Sequence, residues 1–266
     1  MNRNQEANNI VWAVKSPPLI SSKDKIWPEE SWFRDWEVKA VRSESLNPNQ
    51  KLGLYFEKTL HEWIEKEPKL MLLAHNLVVS SKRRTLGEFD LIVRNENSVE
   101  HWEIAVKFFL GIRNRKNIGH WIGPNPRDTL ERKLDSLENR QIRLGDDPDA
   151  KRILEQKDIK IDSRRIIFKG RLFYPYKMFK MSRFEFPKDI NLSHEKGWWL
   201  RWEELDSQKE LKNSSFKLLE KREWLAQLKN IDTEEIISFD ELKERCASNF
   251  TSHVAIIVGE RTELSR

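Results

Sequence analysis

The sequence is poor in the residues that build disulfide frameworks and metal-binding fingers. Cys246 is the only cysteine, so no intrachain disulfide can form and a reducing compartment is expected. The six histidines are scattered, and no second His or Cys stands at a zinc-ligand spacing. We therefore expect neither a disulfide-stapled secreted domain nor a structural zinc site.

Long apolar runs are also missing. Residues Met1–Asn9 are polar and lack the apolar stretch of a signal peptide. Short runs such as Val254–Val258 are too brief to span a bilayer. The prediction is a cytoplasmic protein with no membrane partner.

The composition is that of one folded domain. The sequence has no internal repeat or low-complexity tract, and 266 residues can bury one substantial core, so we predict a single domain over residues 1–266. Eleven tryptophans argue against disorder, because large aromatic side chains need packed surroundings. Six are expected in packed positions: Trp27, Trp32, Trp36, Trp198, Trp199 and Trp202.

The charge balance points weakly to a polyanionic partner. The net charge is +5 and the isoelectric point is near 9.1, which favours nucleic acid. An ordinary solvated surface explains the same numbers. The sequence makes no prediction of the oligomeric state.

The order of predicted elements favours an α/β fold, a mixed β-sheet flanked by helices. Residues 1–46 are predicted to be a helical N-terminal extension, and residues 47–142 carry the core motifs. An amphipathic helix is predicted over 47–67, ending before Pro68. A short strand, 71–80, follows. The apolar stripe of the helix consists of Leu52, Phe56, Leu60, Trp63 and Ile64.

The remainder of the chain is predicted to complete this domain with strands and helices over 164–266. A helix from about Arg127 should bury Leu130, Leu134 and Leu137. Residues 145–163 look like a surface connection with one helical turn or more. Further predictions are strands over 165–174, 197–202 and 253–258, a helix over 216–228, and a short helix that starts at the capping box Ser238–Glu241.

Two neighbouring strands carry charges that packing does not require. Residues 86–94 alternate as a strand, with Glu88 and Asp90 on one face. After turn formers at 95–98, residues 101–110 form a second strand, with Glu103 and Lys107 on one face. A buried ammonium needs carboxylates beside it, and the neighbouring strand offers them.

This group of charges has a chemical use. Carboxylate oxygens suit Mg²⁺ or Mn²⁺, and an ammonium can orient water or stabilise charge on a scissile phosphate. A buried salt-bridge network and a solvated strand face are the alternatives. Glu57, near the edge of the helix stripe, is a weaker candidate. Arg127 and Lys133 are predicted to contact substrate phosphates at the mouth of the cleft.

The register of the hairpin decides which carboxylates meet. A turn at residues 97–98 would place Asp90 opposite Ala105 and Glu88 opposite Lys107. A turn at residues 96–97 would place Asp90 opposite Glu103. Both registers keep Asp90 on the face of Glu103 and Lys107.

At these residues the sequence resembles the PD-(D/E)XK nuclease superfamily, and more closely a bacterial family within it, domain of unknown function 1853. The resemblance implies a restriction-endonuclease-like fold, with Glu57 as the helix carboxylate, Asp90 as the metal-bridging aspartate and Lys107 as the lysine of the motif. The stretches that carry it run over nearly the whole chain: Trp12-Ala13 with Ser16-Pro17-Pro18-Leu19, Leu52-Gly53-x-Tyr55-Phe56-Glu57, Thr85-Leu86-Gly87-Glu88-Phe89-Asp90, His101-Trp102-Glu103-Ile104-Ala105-Val106-Lys107-Phe108, Gly123-Pro124-Asn125 and Gly197-Trp198-Trp199-Leu200.

The motif departs from the superfamily pattern at Ala105, where an Asp or Glu is usual. Glu103 lies roughly 13 Å along the strand from Lys107, and Glu88 is the other substitute. The metal ligands expected are Asp90 with Glu57 or Glu88.

The functional hypothesis is a metal-dependent nuclease, which hydrolyses phosphodiester bonds in DNA or, less favoured, RNA. The alternative is a catalytically inactive nuclease-fold protein that binds nucleic acid or a protein partner.

Overall fold

The computed structural model describes residues 3–38, 50–82, 84–96, 98–125, 127–226, 235–248 and 256–260. The α-helices in this part are α1 Arg3–Lys15, α2 Glu30–Asp35, α3 Leu52–Ile64, α4 Leu130–Ser136, α5 Pro148–Gln156, α6 Tyr176–Lys180 and α7 Phe239–Ser248. The β-strands are β1 Leu70–Ser80, β2 Thr85–Asn95, β3 Ser98–Gly111, β4 Trp121–Ile122, β5 Ser163–Pro175, β6 Glu195–Trp199, β7 Ser214–Leu218 and β8 Ile256–Glu260.

Six of these strands form one mixed sheet, in the order β1-β2-β3-β5-β6 with β4 paired to β3. The strands β1, β2 and β3 are antiparallel, whereas β3, β5 and β6 run parallel. Helices cover the sheet, so the predicted α/β fold with a mixed sheet is confirmed. The strands β7 and β8 form a separate antiparallel pair.

The sheet forks between β2 and β3. Their ladder runs from the pair Asn95 and Ser98 to the pair Leu91 and Trp102. Beyond Leu91, β2 continues along β1, while the far end of β3 pairs with β4 through Leu110. This register is the one that a turn at residues 96–97 sets; residue 97 lies outside the described residues. Between Trp102 and Leu110, the backbone of β3 has no strand partner on the β2 side among the described residues, so side chains can bond to it there.

Apolar residues fill both faces of the sheet. On one face, Phe56 and Leu60 of α3 join Trp12 of α1 and strand residues such as Ile104 in a buried core. On the other face, α4 and the π-helical turn that follows it pack against Ala105 and Phe109. The predicted inward stripe is confirmed, because these three residues are buried: Leu130, Leu134 and Leu137.

The helix α4 begins later than predicted. Thr129 is its N-cap, and its side chain accepts a hydrogen bond from the Arg132 backbone N–H at 3.2 Å. A Thr in this position satisfies an amide that the first turn leaves unpaired, so it fixes the start of the helix at Leu130. Arg127 therefore lies in the preceding loop.

The predicted helix over 216–228 is wrong in its described part. Ser214–Leu218 is strand β7, and Lys221–Trp224 is a 3₁₀ turn; residues 227 and 228 lie outside the described residues. Phe216 lines up with Val258 of β8, a partner too distant in sequence to be read from local periodicity. The strand predicted over 197–202 is β6, Glu195–Trp199, and it ends before Trp202.

Other local predictions agree with the structure. The helix at the capping box is α7, and Ser238 Oγ accepts a hydrogen bond from the Glu241 backbone N–H at 3.2 Å. The segment 145–163 contains the helix α5. The strand predicted over 253–258 is described only from Ile256, as β8, because residues 253–255 lie outside the described residues. No helix among the described residues is long and apolar enough to cross a membrane.

Candidate functional site

Asp90 lies where β2 separates from β3. Its Oδ2 accepts a hydrogen bond from the Ile104 backbone N–H at 2.9 Å, so a side chain takes the place of a strand partner. The Glu103 carboxyl lies close enough for its charge to raise the pKa of Asp90. Repulsion between two carboxylates favours the protonated form of Asp90.

Glu103 is held by two side chains inside the protein. It is 0% exposed. Its Oε1 lies 2.9 Å from His101 Nε2, and its Oε2 accepts a hydrogen bond from the Gln141 amide at 3.0 Å. The Oε1 of Gln141 in turn accepts from Lys133 Nζ at 3.2 Å. Gln141 ends a π-helical turn, Leu137–Gln141, an irregularity that is frequent at functional sites.

Glu57 and Glu88 approach the same region from other elements. Glu57 is half-buried on α3, and the charges of Asp90 and Glu88 both raise its pKa. Glu88 is exposed on β2, opposite Val78 of β1. The two glutamates thus lie within electrostatic range of Asp90.

Three of these carboxyls have strongly raised pKa values. Burial, followed by the charge of Asp90, raises the pKa of Glu57 to about 7. Burial and the charge of Glu103 raise the pKa of Asp90 to about 7. Burial raises the pKa of Glu103 to about 8. Perturbed groups that cluster in this way mark candidate functional sites.

Lys133 supplies positive charge to the group. Its charge lowers the pKa of both Asp90 and Glu103. The pKa of Lys133 is itself lowered, first by burial and then by the nearby charge of Lys107. Together, Glu57, Asp90, Glu103 and Lys133 form what we call the acid–lysine cluster.

Lys107 forms an ion pair that the sequence did not predict. Its Nζ donates to Asp128 Oδ2 at 2.5 Å, and the two side chains are 33% and 29% exposed. Lys107 pairs with Gly170 of β5, which has a φ of +149°. A Cβ there would stand 1.8 Å from the Lys107 carbonyl oxygen, so the close approach of the strands requires glycine.

The structure leaves Arg127 outside this group. Arg127 is exposed, and its hydrogen bonds in the described part use its backbone: the N–H donates to Asn125 and the carbonyl accepts from Arg132. Of the two cations proposed for substrate contact, Lys133 is the one that lies beside Asp90.

Packing explains the alanine at the position where an acid is usual in the superfamily. Ala105 is 7% exposed and lies in the core with Leu130, Leu134 and Leu137. A carboxylate there would be buried against these apolar side chains, which is costly. Glu103 provides the second carboxyl beside Asp90 instead.

The donor chemistry suits a hard cation held by few protein ligands. Among the described residues, no three His, Cys, Asp or Glu side chains converge as a metal-binding group. The expected ligands Asp90, Glu57 and Glu88 therefore do not form such a group. Magnesium, however, is often held by one or two carboxylates and completed by water and substrate phosphate. Asp90, a half-buried residue with one oxygen, Oδ2, bound to the Ile104 N–H, could be one such ligand through its other oxygen.

The raised pKa values predict a loss of stability as pH rises from about 4.5, where the unfolded chain releases these protons, to about 8, where the folded chain has released them too. In this range the folded chain holds protons on Glu57, Asp90 and Glu103 that the unfolded chain has released. Glu103→Gln removes one such group and keeps its hydrogen bonding, so the melting temperature should fall less steeply with pH than in the wild type. Below pH 6.5, His101, with its pKa lowered to about 4, acts in the opposite direction.

Melting curves in matched buffers test this prediction. Glu155→Gln, at an exposed position on α5, is the control and should keep the wild-type slope. Equal slopes for Glu103→Gln and the wild type would contradict a raised pKa at Glu103.

Comparison with known proteins identifies the family. The family model described as "Domain of unknown function (DUF1853)" matches residues 8–260, nearly the whole chain. Neither a search of curated proteins nor a search of solved structures gave a significant match. The match includes every residue of the acid–lysine cluster, and the chain therefore belongs to the DUF1853 family.

Proposed function

We propose that the acid–lysine cluster is the active site of a metal-dependent nuclease that hydrolyses phosphodiester bonds, in DNA rather than RNA. The observation that carries the proposal is that three carboxyls of raised pKa and the half-buried ammonium of Lys133 lie within electrostatic range of one another at the fork of the sheet. Packing does not require this group. The resemblance to the PD-(D/E)XK superfamily supports the same chemistry, and the single cysteine suits a cytoplasmic location.

Glu57 is the group best suited to accept the proton of the attacking water. A general base works best when its pKa lies near the working pH, and the pKa of Glu57 is about 7. Glu57 lies on α3 and is half-buried, so the exposed part of its side chain is accessible to a substrate. Its role is that of a base rather than a fixed structural partner.

Lys133 and Lys107 stabilise the negative charge of the phosphate. Lys133 reaches the carboxyls from α4, so its ammonium can bind a phosphate oxygen close to Asp90. Lys107 lies beside it and is oriented by Asp128. In the superfamily motif one strand lysine serves this purpose; we propose that here a helix lysine shares it.

Asp90 would hold the divalent cation, with Glu88 as the second carboxylate while Glu57 acts as the base. When bound, such a cation neutralises the scissile phosphate and lowers the pKa of a coordinated water. Glu103, whose two oxygens are occupied by His101 and Gln141, orients Asp90 instead. Glu88 is exposed at the rim.

Addition of Mg²⁺ is expected to raise the melting temperature at about pH 8. A ligand that binds only the folded chain stabilises it, and the cation relieves the repulsion among carboxyls that have lost their protons. Thermal melts with increasing MgCl₂ measure the effect, with Asp90→Asn as the site variant and Asp189→Asn, an exposed position, as its control. An equal rise in melting temperature with MgCl₂ in both variants would show that the cation binds away from Asp90.

A cleavage assay tests the reaction itself. Purified protein is incubated with single- and double-stranded DNA and RNA and with Mg²⁺, Mn²⁺ or EDTA. The proposal expects cleavage that needs a divalent cation and favours DNA. The alternative, an inactive protein that binds nucleic acid, predicts binding without cleavage under every condition. The incomplete motif at Ala105 is the observation that favours this alternative.

A further inference from the structure

A cleft of about 580 Å³ lies at the other edge of the sheet from β1. The end of β5, the helix α6, the end of β6 and the 3₁₀ turn Trp202–Ser207 surround it. This volume lies within the range of small-molecule sites. The cleft combines cations with aromatic rings: its lining includes Tyr176, Lys177, Lys180, Trp199 and Arg201.

Two of the cations are available to an anion. Lys177 and Arg201 are exposed, and neither forms an ion pair in the described part of the chain. Lys180, by contrast, is paired with Glu210. The acid in the lining, Glu204, turns its Oε2 to the Arg201 backbone N–H at 2.9 Å. The lining thus holds three cations against one acid, and its net charge is positive.

The aromatic rings are held in place. The Trp199 indole N–H donates to the Gly111 carbonyl at 3.3 Å, which fixes the orientation of this half-buried ring. The Tyr176 ring packs edge-on against Trp198, with 4.8 Å between centroids. Rigid aromatic side chains lose little entropy when a planar ligand stacks on them.

We propose that this cleft binds a nucleotide, with its base against Trp199 and Tyr176 and its phosphate at Lys177 and Arg201. A simple anion would use the cations Lys177 and Arg201 but not the aromatic rings. An apolar ligand would use the rings but not the two cations. A planar base that carries a phosphate uses both, as in proteins that hold single-stranded nucleic acid. The nucleotide is either free or part of a single strand. The site is separate from the acid–lysine cluster and does not depend on hydrolysis there.

The test measures binding of a fluorescent single-stranded DNA oligonucleotide by anisotropy, in EDTA so that metal-dependent cleavage does not interfere. Lys177→Gln/Arg201→Gln should weaken binding by at least about fivefold at low salt, and should reduce the slope of log affinity against log salt by up to about 1.4. Lys157→Gln/Lys160→Gln removes the same charge at exposed positions after α5, which lies against β1. This control should change affinity less than about twofold.

Trp199→Leu removes the ring but keeps apolar bulk, and should weaken binding by between about fivefold and about a hundredfold. Trp199→Phe keeps an aromatic face and should retain most of the affinity, with melting temperatures confirming that each variant is folded. Displacement of the oligonucleotide by AMP supports a free nucleotide as the ligand. Displacement by unlabelled oligonucleotide alone supports a nucleotide within a strand. Binding that is unchanged in Lys177→Gln/Arg201→Gln and Trp199→Leu, or no binding by the wild type, overturns the proposal.

Discussion

Asp90→Asn should abolish divalent-metal-dependent cleavage of DNA and leave the protein folded. Asparagine keeps the shape of aspartate, and its carbonyl can still accept the hydrogen bond from the Ile104 N–H, but it lacks the charge that a hard cation requires. We expect a fall in cleavage rate of at least about a hundredfold. The melting temperature at neutral pH should be unchanged or higher, because burial disfavours the ionised Asp90.

The matched control is Asp189→Asn. Asp189 is exposed, and its backbone carbonyl, not its side chain, accepts the hydrogen bond from Ser21 N–H at 2.9 Å. This variant should cleave at the wild-type rate. Cleavage at the wild-type rate by Asp90→Asn, with contaminating nuclease excluded, would rule out the acid–lysine cluster as the active site.

The sequence predicted the features of this protein that depend on local pattern. Strand alternation places Glu103 and Lys107 on one face of β3 because successive side chains point to opposite faces. The turn formers at 95–98 predicted the hairpin and limited its register to two alternatives. The structure selects the register that puts Asp90 next to Glu103.

The contacts that complete the cluster could not be predicted in this way, because they join elements that are far apart in the chain. Gln141 reaches Glu103 only through a π-helical turn, an irregularity without a clear sequence signal. Asp128 meets Lys107 because α4 packs against Ala105. The local pattern of β7 predicts a helix for a related reason, since its partner, β8, is contributed by the distant C-terminal segment.

Lys133→Ala is expected to reduce cleavage by about a hundredfold or more and to change its pH dependence. The charge of Lys133 lowers the pKa of Asp90 and of Glu103, so both pKa values should rise when it is removed. The carboxylates must be ionised to act, and the acid limb of the pH–rate profile should therefore move to higher pH. Gln141 should remain in place, because Ser136 Oγ also donates to its Oε1 at 3.1 Å.

Lys107→Ala provides the comparison that assigns the two lysines their roles. Lys107 is paired with Asp128. If Lys107 acts on the phosphate, Lys107→Ala should also abolish cleavage, and the acid limb of the pH–rate profile should move little. If Lys107 is only a counter-ion, the half-buried Asp128 is left without its partner and the melting temperature falls instead. The measurements are pH–rate profiles and thermal melts of the wild type and both variants. The removal of a charge that acts on Asp90 and Glu103 must shift the pH at which these carboxyls titrate. A Lys133→Ala pH–rate profile identical to that of the wild type, at the same rate, would therefore exclude Lys133 from the site.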